Sequence, residues 1–242
     1  ITSLYKIEGF INKSQVKVSN MTKCLLFLLS LCLLALVVFS STSPCQNPRN
    51  SNRQVLDTLG RGVNPRSNYR IASSLGGVLS GHVYLGHIPN SGASCPDGIF
   101  KHNSNGQRGT PLRFIEHACR GQPPRIYENQ DINIQFVGSR NCDNFINWKV
   151  GEYNATLEAS LFGTNGGTIG RADSSWFKIV RAERGYHLVN CPGPFVCPNC
   201  PLNQCRVVWV VVIDGRRRLA LARRQTPTQG LRFPLSVYFV RA

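Results

Sequence analysis

The feature that most constrains this 242-residue chain is a rhythm of short β-branched and aromatic runs, continuing from about residue 54 to the end without an ordinary amphipathic helix. The runs are Tyr69 to Ile71, His82 to Leu85, Leu112 to Ile115, Ile132 to Val137, Phe145 to Val150, Trp176 to Val180, His187 to Val189, Val207 to Ile213, Arg218 to Leu221 and Leu235 to Val240. Gly, Pro, Asn, Asp or Ser separate them, as turn residues should. Ile132-Asn133-Ile134-Gln135-Phe136 alternates apolar and polar, the pattern of a strand with one face toward water. Residues 54–242 are therefore expected to form one all-β domain behind a short polar linker over 44–53.

The beginning of the chain reads differently. Met21, the single Met, is followed by Lys23 and an almost unbroken apolar run from Cys24 to Phe39, then by the small residues Ser40 to Ser43. A basic start, a 16-residue apolar stretch and small residues after it describe a secretory signal peptide over 21–43. A membrane anchor would need roughly 20 apolar residues, so no anchor is expected. Residues 1–20 read as an upstream segment outside the fold. Asn154-Ala155-Thr156 is a sequon in the mature region, which makes Asn154 a candidate glycan acceptor.

Secretion changes how the cysteines are read. Of ten, Cys24 and Cys32 fall in the signal, leaving Cys45, Cys95, Cys119, Cys142, Cys191, Cys197, Cys200 and Cys205. An even count in an oxidising compartment implies disulfides, although eight cysteines allow 105 pairings. Cys197-Pro198-Asn199-Cys200 also has thioredoxin-type spacing, and with Cys191 and Cys205 it could form a four-thiolate zinc site. No strand–helix unit presents that pair, and structural bridges suit the compartment better.

With 42% hydrophobic and 17% charged residues the chain is too apolar to be disordered. Its formal net charge of +16 comes from 28 Lys and Arg against 12 Asp and Glu. Such a surplus suits a nucleic acid, an anionic surface or an acidic pocket. The Arg residues are scattered, however, and only Arg216 to Arg218 and Arg223-Arg224 cluster, without the interleaved aromatics that base stacking needs. No nucleic-acid partner is expected. Catalysis is equally thinly supported: no nucleophile elbow, phosphate-cradling loop, paired carboxylates or metal-ligand motif occurs, and His82, His87, His102, His117 and His187 are dispersed. No enzyme, cofactor or metal is expected.

One connection stands apart. Sixteen residues, Glu116 to Asp131, separate two strand-like runs, and connections of that length are often functional. Pro123 and Pro124 fix φ, so that Arg125 follows a stiff, extended stretch. A basic side chain presented in this way is what the acidic specificity pocket of a trypsin-like protease accepts. The plain alternative is a solvated Arg-rich loop.

Val55-Leu56-Asp57-Thr58-Leu59-Gly60, then Val63 and Tyr69-Arg70-Ile71, resemble the opening signature of the plant Kunitz (soybean trypsin inhibitor-like) family. The similarity continues through Cys95-Pro96-Asp97-Gly98, Arg113-Phe114-Ile115, Trp148-Lys149-Val150-Gly151, Trp176-Phe177-Lys178-Ile179, Cys191-Pro192, Arg217-Arg218-Leu219-Ala220-Leu221 and Val237-Tyr238-Phe239, essentially all of 54–242. Phe195 to Cys200 and Gly166-Gly167-Thr168-Ile169-Gly170 are most similar to the potato-type branch, which includes inhibitors of serine, aspartic and cysteine proteases.

The resemblance implies a disulfide-stapled β-trefoil of twelve strands, six closing a barrel and six forming three capping hairpins. It implies the bridge Cys95–Cys142, and Cys191–Cys205 enclosing Cys197–Cys200; Cys45 and Cys119 either pair with each other or stay free. The family's reactive loop falls on Glu116 to Asp131, which makes Arg125–Ile126 the target bond, Arg120 the fallback, and Gly121, Pro123, Pro124 and Tyr127 loop residues. An Asn that props this loop in relatives has no clear counterpart, since Asn64 lies one place off register with Pro65 in its slot. The implied function is inhibition of trypsin-like serine proteases by a monomer, with aspartic and cysteine proteases as further targets and plant defence as the role. A non-inhibitory trefoil storage or binding protein is the alternative. Asn47-Pro48-Arg49-Asn50 resembles a degraded vacuolar signal, so the expected destination is the vacuole or the cell exterior.

Overall fold

A computed structural model of the chain describes residues 53–116, 124–138, 141–143, 146–170, 173–194, 196–200, 205–222 and 232–242. Residues 1–52, which include the expected signal segment and linker with Cys45, lie outside the described residues, as do Cys119, Arg120, Gly121 and Pro123. Thirteen strands run through the rest: β1 (Tyr69–Ser73), β2 (Val83–Gly86), β3 (Gly98–Lys101), β4 (Leu112–Glu116), β5 (Ile132–Phe136), β6 (Lys149–Asn154), β7 (Ala159–Gly163), β8 (Lys178–Arg181), β9 (Tyr186–Asn190), β10 (Arg206–Ile213), β11 (Arg216–Ala222), β12 (Arg232–Pro234) and β13 (Ser236–Arg241). Among the described residues helix is confined to single turns such as Gly77–Leu79 and Asp173–Ser175.

Alternation decides which side β1 and β4 bury, whereas β5, expected to keep one face toward water, is buried on both, with Asn133 donating to the Ser175 carbonyl at 2.8 Å. Tyr69 and Ile71 of β1 are buried while Arg70 between them is partly exposed, and Leu112 and Phe114 of β4 flank an exposed Arg113 in the same way. Their inward side chains meet one aromatic cluster, in which Phe114 packs edge-on against Phe239 at 5.1 Å and Tyr186 stacks on Phe239 at 5.5 Å. A second cluster surrounds Trp148, whose ring lies 5.7 Å from Phe136 and 6.0 Å from Phe177. Both clusters belong to a single buried core.

The topology repeats one pattern three times. A strand is followed by a hairpin and then by a second strand, and the hairpins are β2–β3, β6–β7 and β10–β11. Their later strands pair with one another in a triangle, at Gly98↔Gly163, Leu161↔Ala220 and Phe100↔Arg218. The remaining strands line up as β8-β9-β13-β1-β4-β5, all neighbours antiparallel. This is the β-trefoil arrangement.

Two details of the expected fold need correction. A short strand, β12, pairs with β10, so the described residues hold thirteen strands rather than twelve. Its Pro234 is tolerated because β12 is an edge with no further partner to satisfy. In addition, the sheet is not closed. Among the described residues β5 and β8 form no ladder, and the β-bridge between them is Ile132↔Phe177. There Phe177 exchanges two 2.9 Å backbone bonds with Ile132, and Asn129, just before β5, donates its N–H to the Ile179 carbonyl of β8 at 2.9 Å.

Three disulfides are formed among the described residues: Cys95–Cys142, Cys191–Cys205 and Cys197–Cys200. The second cysteine cluster is thus spent on two nested bridges, which uses up the thiolates a zinc site or a reduced redox pair would need.

Candidate functional site

The described part of the β4–β5 connection, Pro124 to Asp131, is held down from its first residues. The segment before β1 runs beneath it. Val55 donates its N–H to the Ile126 carbonyl at 3.0 Å, Ile126 donates to the Val63 carbonyl at 3.1 Å, and Val63 donates to the Val55 carbonyl at 2.7 Å. All three side chains are fully buried. Gln54 bridges Tyr127, and Glu128 donates to the Arg53 carbonyl at 2.8 Å. The segment doubles back because the Asp57 carboxylate collects the Leu59 and Arg61 N–H groups at 2.9 and 3.0 Å, with Gly60 at φ 73° between them.

Arg125 is exposed on this tied backbone, between a partly exposed Pro124 and a buried Ile126. Its own N–H faces the carboxylate of Glu116, the last residue of β4, as does the Gln130 side chain. Gln130 in turn accepts the Tyr127 N–H at 3.0 Å. Burial raises the Glu116 carboxyl above its ordinary value, while the Gln130 and Arg125 bonds and the charge of Arg66 act against that rise. At the far end, Asp131 accepts the Gly193 N–H at 3.0 Å and faces Lys178 Nζ at 3.6 Å, which ties the loop's exit to the Cys191–Cys205 hairpin.

The structure distributes the expected site residues unevenly. Arg125, Pro124 and Tyr127 reach the surface, but Ile126 is wholly buried and both its backbone groups are bonded, so its side chain is an anchor and not a contact. The reason is tertiary: the Val55 and Val63 backbones close over it. Asn64 serves its own turn, its Oδ1 accepting the Arg66 N–H at 2.8 Å. Glu116 holds Arg125 instead, and nothing in the local pattern around Glu116 singles it out. Asn154 is exposed at the end of β6, its Oδ1 accepting the Leu157 N–H at 2.9 Å. Arg120, Gly121 and Pro123 lie outside the described residues.

The family model for trypsin and protease inhibitors of the Kunitz legume type matches residues 55–233. The chain belongs to the Kunitz legume family. Aspartic protease inhibitor 4 of Solanum tuberosum is 50% identical over 214 residues, covering 83% of this chain and 94% of the relative. Serine protease inhibitor 7 of Solanum tuberosum is 49% identical over 212 residues, with the same coverage of 83% and 94%. Among solved structures, a Kunitz-type cysteine protease inhibitor from potato superposes with a TM-score of 0.64 at 28% identity, over 79% of this chain and 98% of that one. These Kunitz relatives carry names for three protease classes. Similarity alone therefore does not choose the target, and the choice has to come from the site.

Proposed function

We propose that this Kunitz chain inhibits trypsin-like serine proteases by offering Arg125 as the primary specificity residue. The observation that carries the reading is an exposed Arg whose backbone is secured on both sides, by Glu116 at its own N–H and by the buried Ile126 after it. The guanidinium is the group that the acidic pocket of such a protease binds through charge-assisted hydrogen bonds. Attack on the Arg125 carbonyl would make the Ile126 nitrogen the leaving group. That nitrogen is held by Val63 and by a fully buried side chain, so it stays beside the acyl carbon and the bond re-forms faster than the fragments part. A loop already ordered before binding avoids much of the entropy cost of association. The expected contact is about 1,600 Å² in total, the usual size for protease–inhibitor pairs. In this role the chain is an enzyme's ligand, acting as a monomer.

Titration of trypsin with the wild type and Arg125→Ala tests the assignment. The variant should keep its urea midpoint and inhibit at least about 100-fold less well, as loss of a central Arg anchor does. Undiminished inhibition would remove Arg125 from the site. A relative's name favours aspartic proteases as a second target, and cathepsin D inhibition should then survive Arg125→Ala. Absence of inhibition across trypsin, chymotrypsin, cathepsin D and papain would favour the storage or binding reading.

We also read 21–43 as a secretory leader and the mature protein as vacuolar or extracellular. Three disulfides support an oxidising destination. Mass spectrometry of the mature protein should find a new N-terminus near residue 44 and report whether Asn154 carries a glycan.

A further inference from the structure

The capping triangle contains a group of basic side chains that protease binding does not use. Lys101 of β3 stands opposite Arg217 of β11, so the two side chains share one face of the sheet. Lys101 is 2% exposed, and its ammonium donates to the Ser80 carbonyl and, at 3.3 Å, to the His102 carbonyl. Two acceptors leave one of its three hydrogens uncommitted. Arg217 approaches the same aromatic ring: Lys101 Nζ lies 5.7 Å and the Arg217 guanidinium carbon 5.9 Å from the centre of Phe233. Arg217 Nη1 is buried and has no hydrogen-bond partner among the described residues.

Among the described residues the surroundings do not compensate this charge. His82 is influenced by Lys101 and Arg70, and His102 by Lys101 and His82, while burial holds both imidazoles below their ordinary value. Burial, and then the charge of Arg217, push Lys101 down to about 8. The ion pairs among the described residues are made by Arg61 and Lys178, not by any of these groups. Arg218, the next residue in β11, turns to the other face and donates to the Phe162 carbonyl at 3.2 Å. Enclosed cations without a counter-charge are costly, and a ligand that supplies the charge removes the cost.

We propose that Lys101 and Arg217, above the Phe233 ring, form a binding site for a small tetrahedral oxyanion such as phosphate or sulfate. One oxygen accepts from the uncommitted Lys101 hydrogen and another from Arg217 Nη1; a tetrahedral ion offers two such acceptors at once. Arg217, partly exposed at the start of β11, gives the ion its way in.

Calorimetric titration of the mature protein at pH 7 tests this, with sodium phosphate, sodium sulfate and sodium acetate as ligands in chloride buffer of matched ionic strength. Phosphate and sulfate should each bind at one saturable site with a millimolar or tighter dissociation constant, and should raise the melting temperature above the chloride control. Arg217→Gln should weaken that binding at least tenfold. Lys101→Met, which fills the site with an uncharged chain of similar length, should abolish it. Trypsin inhibition should be unchanged in both variants, so the outcome is independent of the Arg125 reading. Equal melting temperatures in phosphate and chloride, acetate binding as tightly as phosphate, or wild-type affinity in Arg217→Gln would each overturn the proposal.

Discussion

Arg125 owes its presentation to two neighbours with opposite chemistry, a buried aliphatic anchor and a half-buried acid. Ile126 could be read from the sequence as an apolar residue following a basic one, but only its seat between Val55 and Val63 makes it a clamp. Glu116 carries no sequence signal, because its task is to receive an N–H group from across the loop. Glu116→Ala should weaken trypsin inhibition about tenfold, the loss expected for one hydrogen bond to a charged group. Glu116→Gln keeps an acceptor oxygen and should restore most of it. The pH dependence has a definite sign. Burial holds the Glu116 carboxyl above its ordinary 4.5, so its contribution to stability is full below that value and declines as pH rises through the folded-state value. The urea stability of wild type relative to Glu116→Gln should therefore be greatest near pH 3 and smaller at pH 7. A difference that grows with pH would mean that the bonds to the carboxylate outweigh its burial.

Individual strands were legible where aliphatic and aromatic residues are dense and illegible where they are not. β10, with Val207 to Ile213, announces itself, whereas β3 is four residues that begin with Gly. β7 is built from Ala159, Ser160, Leu161, Phe162 and Gly163, and its terminal Gly163 is required by tertiary contact. A Cβ there would come within 2.9 Å of the Asp97 carbonyl, where β7 meets β3. The disulfides act on elements too, and their effects should rank by the length of chain they close. Cys95–Cys142 spans 47 positions and its paired Cys→Ser variant should lose about 4 kcal/mol. Cys191–Cys205 spans 14 and should cost about 3 kcal/mol, Cys197–Cys200 spans 3 and should cost about 2 kcal/mol or less. Chemical denaturation of the three double variants gives the order, and an equal loss from all three would rule out loop closure as the dominant effect.

At the scale of the molecule, the charge of +16 has two different consequences. Most of it is a diffuse positive field that can speed encounter with an acidic protease surface. A smaller part is enclosed in the cap, where it affects stability. Lys101 falls to about 8 in the folded protein against an ordinary 10.5, so between those values the unfolded chain binds more protons. Stability should accordingly rise with pH across that window, by at most about 1.4 kcal/mol per pH unit from this one group. In phosphate-free buffer, the denaturant midpoint of wild type should climb relative to Lys101→Met between pH 8 and 10. A flat difference would show that Lys101 titrates normally.

The amino-acid sequence by itself determined an all-β chain with turns between its runs, the cysteines available for bridges, and an Arg after two prolines in a long connection. These follow from properties of neighbouring residues: side-chain branching, fixed φ, alternation and spacing. Tertiary structure alone decided that the sheet stays open between β5 and β8, that β12 exists, that Ile126 is an anchor, that Glu116 holds Arg125, and that Lys101 stands beside Arg217. Each of these depends on the register between segments far apart in the chain. A strand's pattern tells which residues share a face, but not which distant residue will stand opposite, nor, as in β5, whether its polar face is covered as well.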